Sequence, residues 1–171
     1  AVAKAMDNAC ATVGFVQVVG HGIPAGIWDG LGDASDAFFN QSLAEKKKYL
    51  APGNRGYSPP KSESLSLSLG VESSSRMNDF FEAFNVGLSE DDYGLNVWPD
   101  LDAFQDRVEA YYAEAARVAH TLTGVFADAL GLDHDFFAAL TDHAIEVLRM
   151  NNYALPEGTV TLDGDLTGMG E

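Results

Sequence analysis

Between Leu101 and Ala129 the sequence holds one long amphipathic pattern, in which Leu101, Phe104, Val108, Tyr111, Ala115, Val118, Leu122, Val125, Phe126 and Ala129 recur mostly at three- and four-residue steps. That spacing gathers them into a single stripe on an α-helix. Asp100 is suited to cap the N-terminus, Asp102 to sit at the positive end of the helix, and Gly131 to stop it. About 30 residues rising about 1.5 Å each make a rod of about 45 Å. Such a rod can brace one whole side of a domain, and the rest of the chain has to supply what covers its stripe.

The segments before it are mostly helical. Val2, Ala5, Met6, Ala9 and Cys10 stand at helical spacing over residues 1 to 12. Gly14-Phe15-Val16-Gln17-Val18-Val19 is β-branched and aromatic and predicts a short buried strand that ends at Gly20. In His21-Gly22-Ile23-Pro24, Gly22 suits a turn and Pro24 the first turn of a new helix, which carries Ile27, Leu31, Phe38 and Phe39 on one face. A short helix from Leu43 to Tyr49 ends at Pro52-Gly53. Residues 52 to 79 are irregular, with Gly56-Tyr57-Ser58-Pro59-Pro60, an alternating Leu65-Ser66-Leu67-Ser68-Leu69 and the triplet Ser73-Ser74-Ser75. Long stretches of this kind are functional lids or disordered segments, and the Leu-Ser alternation suits an edge strand as well as a lid. Phe80 to Val86 returns to strand composition. After the rod come a short helix over Asp133 to Leu140, a strand over Ile145 to Tyr153 and a Gly- and Thr-rich tail from Pro156 to Glu171. Helices come first and strands begin late, an α+β order with too little sheet to cover the rod. Neither an internal repeat nor a linker between two domains is visible.

Composition narrows the partners. With 171 residues and a 46% hydrophobic fraction, the chain fits one ordinary globular domain. Ten Lys and Arg against 26 Asp and Glu leave a formal charge of −16. A surface that negative repels phosphate backbones and anionic lipid, which argues against nucleic acid and membrane partners. The acidity itself reads as a solubility or salt-adaptation trait. Cys10 is the single cysteine, so a disulfide framework is absent; it is expected as a small core residue in a reduced, cytoplasmic compartment. No apolar run approaches the ~20 residues needed to span a bilayer. The N-terminal residues are amphipathic and do not form the continuous apolar stretch of a signal peptide.

The segment richest in chemistry is Ile145-Glu146-Val147-Leu148-Arg149-Met150-Asn151-Asn152-Tyr153. On a strand, Val147, Arg149, Asn151 and Tyr153 share one face, and Leu148 and Met150 the other. Members of the polar row lie about 6.6 Å apart, twice the ~3.3 Å rise. A guanidinium, an amide and a phenol in line are donors suited to a carboxylate or a keto-acid. The plainer alternative is a wet face opposite a Leu/Met core. His21, His120, His134 and His143 offer neither an H-x-D nor an H-E-x-x-H arrangement, and each reads as a cap, surface or core-edge histidine. The chain also lacks a phosphate-binding loop, a dinucleotide fingerprint, a nucleophile elbow and a cysteine zinc cluster.

The joint order of several segments resembles the isopenicillin N synthase-like, Fe(II)- and 2-oxoglutarate-dependent dioxygenases. Ala9-Cys10, Gly14-Phe15 and Val18-Val19-Gly20-His21-Gly22-Ile23 lead into a helix ending in Phe38-Phe39. Glu45-Lys46, Arg55-Gly56-Tyr57, Glu82 to Gly87, Asn96-Val97-Trp98-Pro99 and Arg149-Met150-Asn151-Asn152-Tyr153 follow in the family's order, and Gly168-Met169-Gly170-Glu171 is similar to the residues just ahead of its H-x-D motif. The resemblance covers nearly the whole chain. It implies an N-terminal helical region with short strands, over residues 1 to 143, leading into a double-stranded β-helix (jelly roll) of which residues 144 to 171 are the first, incomplete strands.

By the same resemblance Asn151 and Tyr153 face the active site and help hold 2-oxoglutarate, with Arg149 a further candidate on that face. Tyr57 is expected in a loop near the substrate. Fe(II) is expected from H-x-D, whose His would follow Glu171, and from a later His, so the 171 residues are expected to be an internal stretch of a longer enzyme. No metal ligand or catalytic residue is assigned within them. The implied activity is oxidation of a small organic substrate by hydroxylation, desaturation or ring closure. Two alternatives stand beside it: an oxidase of the isopenicillin N synthase type that uses O₂ without 2-oxoglutarate, and a non-catalytic binding module.

Overall fold

The helical periodicities fold close to where the sequence puts them, whereas strand formation follows the availability of partners. The computed structural model describes residues 1–51, 53–60, 62, 81–88, 94–141 and 145–153. The Leu-Ser alternation, the serine triplet, His143 and the Gly/Thr-rich tail lie outside these residues. The chain divides into two units, residues 1–34 with 103–146, and residues 35–102 with 147–171. Among the described residues no helix is long and apolar enough to cross a membrane.

In the first unit, α1 (Val2–Thr12) packs against α4 (Phe104–Ala129), the 26-residue rod. Met6, Phe104, Val108 and Ala127 are buried there, while other stripe positions are only half covered. Trp28, on α2 (Ala25–Phe39), meets Tyr111 edge-on with ring centroids 5.6 Å apart. The rod stops as its sequence predicts. Gly131 is left-handed (φ 72°), its N–H bonds the Asp128 carbonyl, and Leu132 N–H reaches back to Ala127 O at 2.9 Å. This pair of bonds satisfies carbonyls that a helix end leaves open.

Its start differs from the expectation. Asp100 is not the cap, because it lies three residues before the helix entry at Ala103; its backbone N–H is held by the Tyr49 hydroxyl at 3.1 Å and a tight turn closes from Leu101 N–H to Pro99 O. The helix begins instead after Ala103, which is left-handed at φ 52° and makes no side-chain cap. Burial of Phe104 fixes the entry point. The helix expected at 133–140 is a run of turns closed by a 3₁₀ turn at Ala138–Leu140.

The strand expected over residues 14–19 does not form. These residues lie outside any helix or strand, with Phe15 84% and Val19 90% exposed, and Gly14, Gly20 and Gly22 at positive φ. Strand propensity expresses a fit to a partnered, half-buried surface, and among the described residues nothing pairs with this segment. Cys10 likewise departs from its expected place in the core and is exposed, since Met6 is the buried residue of α1.

The second unit holds the three-stranded antiparallel sheet β1-β2-β3, made of β1 (Gly56–Ser58), β2 (Glu82–Gly87) and β3 (Val147–Asn152). Arg55-Gly56-Tyr57, expected as a turn, thus enters the sheet: Gly56, Tyr57 and Ser58 pair with Asn85, Phe84 and Ala83. The four-residue helix α3 (Leu43–Lys46), continued by a 3₁₀ turn at Lys47–Tyr49, starts at Ser42, whose hydroxyl accepts from Glu45 N–H. Phe38, fully buried, is the hub of this core, with its ring edge-on to Phe84 (4.7 Å), Tyr57 (5.7 Å) and Tyr49 (6.1 Å).

Candidate functional site

Residues directly opposed in an antiparallel sheet project to the same side, so the register sorts the chemistry. Tyr57, Phe84 and Met150 share one face, continued by Val86 with Leu148 and by Glu82 with Asn152. This face is closed. Tyr57, Glu82, Phe84, Val86 and Met150 are all buried, and Ser35 Oγ donates to Met150 Sδ at 3.4 Å. Within it lies a polar cluster. Lys46 Nζ sits 2.8 Å from both carboxylate oxygens of Glu82 and donates to Phe39 O at 3.0 Å. Asn152 Nδ2 donates to Glu82 Oε1 at 2.9 Å, and the Tyr57 hydroxyl donates to Glu82 Oε2. Burial, and then the bond to Glu82, push the Tyr57 hydroxyl well above the usual tyrosine pKa.

The opposite face is open only at the end of β3. Gly56 and Ser58 on β1, Ala83, Asn85 and Gly87 on β2, and Val147, Arg149 and Asn151 on β3 are its paired positions. Gly56, Ala83, Asn85 and Gly87 are buried and Ser58, Val147 and Arg149 half-buried, whereas Asn151 is exposed. Arg149 Nε donates to Asn151 Oδ1 at 2.9 Å, and its guanidinium lies 5.2 Å above the Phe81 ring. Tyr153 packs on the same Phe81 ring at 5.6 Å, with its hydroxyl 3.5 Å from Asn151 Nδ2. The alternation expected of residues 147 to 153 therefore brings Arg149, Asn151 and Tyr153 together as one row of donors, floored by Phe81. Asn151 is exposed, and Tyr153 is 53% exposed. Arg55 belongs to the same region, because a Cβ on Gly87 would lie 2.2 Å from its Nη2.

Tyr57 is not in a loop. It is 2% exposed on the closed face of β1, and its hydroxyl is engaged by Glu82. Strand pairing with Phe84 turns it inward, which residue spacing within an Arg-Gly-Tyr triplet could not reveal. The three described histidines occupy local roles. His21 Nδ1 accepts from Ile23 N–H at 3.1 Å in a turn whose His21 carbonyl receives Arg117 Nη2 at 2.9 Å. His120 lies 3.6 Å from Glu146, and His134 3.1 Å from Asp128. No group of three or more His, Cys, Asp or Glu that could hold a metal ion occurs among the described residues. Those residues therefore do not fit an iron site, and none of them is assigned to one.

Sequence reading missed Lys46, Glu82 and Asn85. A signal existed for Glu82, an acid placed between Phe81 and Phe84 in an otherwise apolar strand, where an unpartnered carboxylate would be costly. Asn85 is buried; its Nδ2 donates to Asn54 Oδ1 at 3.0 Å, while its Oδ1 has no hydrogen-bond partner among the described residues.

The chain is similar to known proteins. The family model described as the non-haem dioxygenase in morphine synthesis N-terminal region matches residues 1–101. The chain is 34% identical over 148 residues to azadirone synthase LFS of Melia azedarach, covering 79% of this chain and 43% of that protein. It is 31% identical to the oxoglutarate-dependent flavonoid 7-O-demethylase 1 of Ocimum basilicum, covering 88% of this chain and 39% of the relative. Among solved structures, a full-length Neurospora crassa protein in complex with alpha-KG superposes with a TM-score of 0.74 at 24% identity, over 88% of this chain and 48% of that one. The chain spans about half the length of the curated relatives it matches.

Proposed function

This chain belongs to the isopenicillin N synthase-like family of Fe(II)- and 2-oxoglutarate-dependent dioxygenases, and on that premise we propose that the whole protein oxidises a small organic substrate with 2-oxoglutarate as cosubstrate. Hydroxylation, desaturation and ring closure are the reaction types in view. β3 is then among the first strands of a double-stranded β-helix, with residues 1–143, β1 and β2 included, as a helical region with short strands and 144–171 as the first, incomplete strands of the core. The observation that carries the proposal is the row Arg149, Asn151 and Tyr153 on one face of β3, exposed at Asn151 and Tyr153.

The chemistry of that row suits a keto-dicarboxylate. Tyr153 Oη and Asn151 Nδ2 donate to carboxylate oxygens, and Arg149 supplies positive charge in a chain of formal charge −16. The Arg149–Asn151 bond limits the freedom of both side chains before any ligand arrives, which lowers the ordering cost of binding. Phe81 beneath the row removes water from one side of the donors and strengthens them. When bound, 2-oxoglutarate supplies the reducing equivalents for oxygenation through its oxidative decarboxylation. What these residues contribute is charge, orientation and exclusion of water.

Binding, and not exposure, separates this reading from a merely solvated face. In the full-length protein, Tyr153→Phe removes one hydrogen bond to a charged partner and weakens 2-oxoglutarate binding by about 1 kcal/mol, roughly fivefold. Unchanged affinity by calorimetric titration would leave the row as surface only. Release of labelled CO₂ from 2-oxoglutarate during turnover tests the cosubstrate itself, because an oxidase using O₂ alone would turn over without it.

A further inference from the structure

We infer that Glu82 is a positioning residue that acts through Asn152, working from the buried face of the sheet to fix how Asn151 and Tyr153 project on the open face. This inference rests on the cosubstrate reading above. Glu82 and Asn152 are the opposed pair at one end of the β2-β3 ladder. Tyr153 lies one residue past the last rung, where backbone pairing no longer holds it. The side chain of Asn152, bonded to Glu82 Oε1 at 2.9 Å, is therefore the last tether of β3 before Tyr153. Side chains alternate along a strand. Holding Asn152 down against Glu82 sends its two neighbours, Asn151 and Tyr153, to the other side.

Glu82 is itself immobilised from several elements. Lys46 of α3 and Tyr57 of β1 engage its carboxylate, and Lys46 is anchored in turn on the carbonyl of Phe39, the last residue of α2. The Lys46 and Glu82 side chains are each 9% exposed. A buried ion pair adds little net stability over well-packed apolar groups of similar size, but it is strongly directional. Apolar filling would stabilise this core as well without fixing the direction of any side chain. The arrangement is one that holds an orientation, and the orientation it holds is that of the strand end bearing the donors.

The test is a double-mutant cycle in the full-length protein, read as the calorimetric dissociation constant of 2-oxoglutarate and not as turnover. Asn152→Ala should weaken 2-oxoglutarate binding about fivefold in the wild-type background but less than twofold in a Tyr153→Phe background, because the tether has nothing left to aim. Asn152→Ser, which cannot reach Glu82, should behave the same way. Losses that simply multiply, or an Asn152→Ala protein that binds normally while Tyr153→Phe does not, would overturn the positioning role and leave the cosubstrate reading intact. Normal binding by Tyr153→Phe would defeat the cosubstrate reading first, and the positioning role with it.

Discussion

The two faces of the small sheet use the same three strands for opposite purposes. On the closed face Phe84 and Tyr57 meet Phe38, Met150 meets Ser35, and each side chain of the Lys46–Glu82–Asn152 cluster has a partner. On the other face Gly56, Ala83, Asn85 and Gly87 are buried too, and only the end of β3, at Asn151 and Tyr153, is exposed. Stability should therefore reside on the closed face and along β2, and ligand recognition at the exposed end of β3. The lesson is that burial at an even position of β3 and donor chemistry at an odd one are two consequences of a single register. A slip of one residue would exchange them.

Substitutions on each side can break that separation. The largest losses belong to the closed face. Glu82→Ala leaves Lys46 buried without its counter-charge and should cost about 3–5 kcal/mol in urea denaturation, whereas Lys46→Met combined with Glu82→Leu should be far milder, since apolar replacement of a whole pair is often neutral. A double variant as unstable as the single would show that the cluster stabilises through its charges after all. Phe84→Ala, which empties a fully buried ring site, should cost a similar 3–5 kcal/mol.

Gly56 shows that the other face is also packed where it meets β1, because it is buried and has no room for a side chain. Its φ is +70°, and a Cβ would lie 2.4 Å from the Tyr49 carbonyl. Gly56→Ala should lose at least about 1–2 kcal/mol from the left-handed backbone alone. Little loss on denaturation would mean that β1 shifts easily.

A smaller effect follows from Tyr57, whose hydroxyl has a raised pKa in the folded protein. The folded state holds this proton more tightly than the unfolded chain. Its contribution is complete below the usual tyrosine value of 10.0 and is lost as pH climbs above that toward the folded value. Stability measured against pH above 10 should fall more steeply in the wild type than in Tyr57→Phe; parallel curves would show that Tyr57 is not the group responsible. Smallest of all, Asn151→Ala on the open face should change stability by no more than about 0.5 kcal/mol. A loss of about 2 kcal/mol there would place part of the core on the wrong side.

Much of this was legible in the residues. Periodicity marked α1, α2, the α3 region and the rod, and Gly131 marked where the rod ends, because helical spacing and a left-handed stop are local properties. Alternation alone placed Arg149, Asn151 and Tyr153 on one face. The sequence misled wherever a distant partner decides the outcome. Phe15 to Val19 has strand composition yet stays outside any strand and exposed for want of a paired strand. Asp100 has the chemistry of a cap, but the helix begins three residues later, after Ala103. Tyr57 looked like a loop residue and is core, because its neighbour in the sheet, Phe84, lies 27 positions away.

By itself, then, the sequence determined the helices, the polar row and the family to which the chain belongs, since each is written in short-range spacing or in the order of short motifs. The tertiary structure alone decided which strands find partners, which face of the sheet is closed, and that Lys46, Tyr57, Glu82 and Asn152 form one cluster. Those outcomes depend on contacts between residues far apart in the chain, and no local pattern encodes the pairing register that creates them.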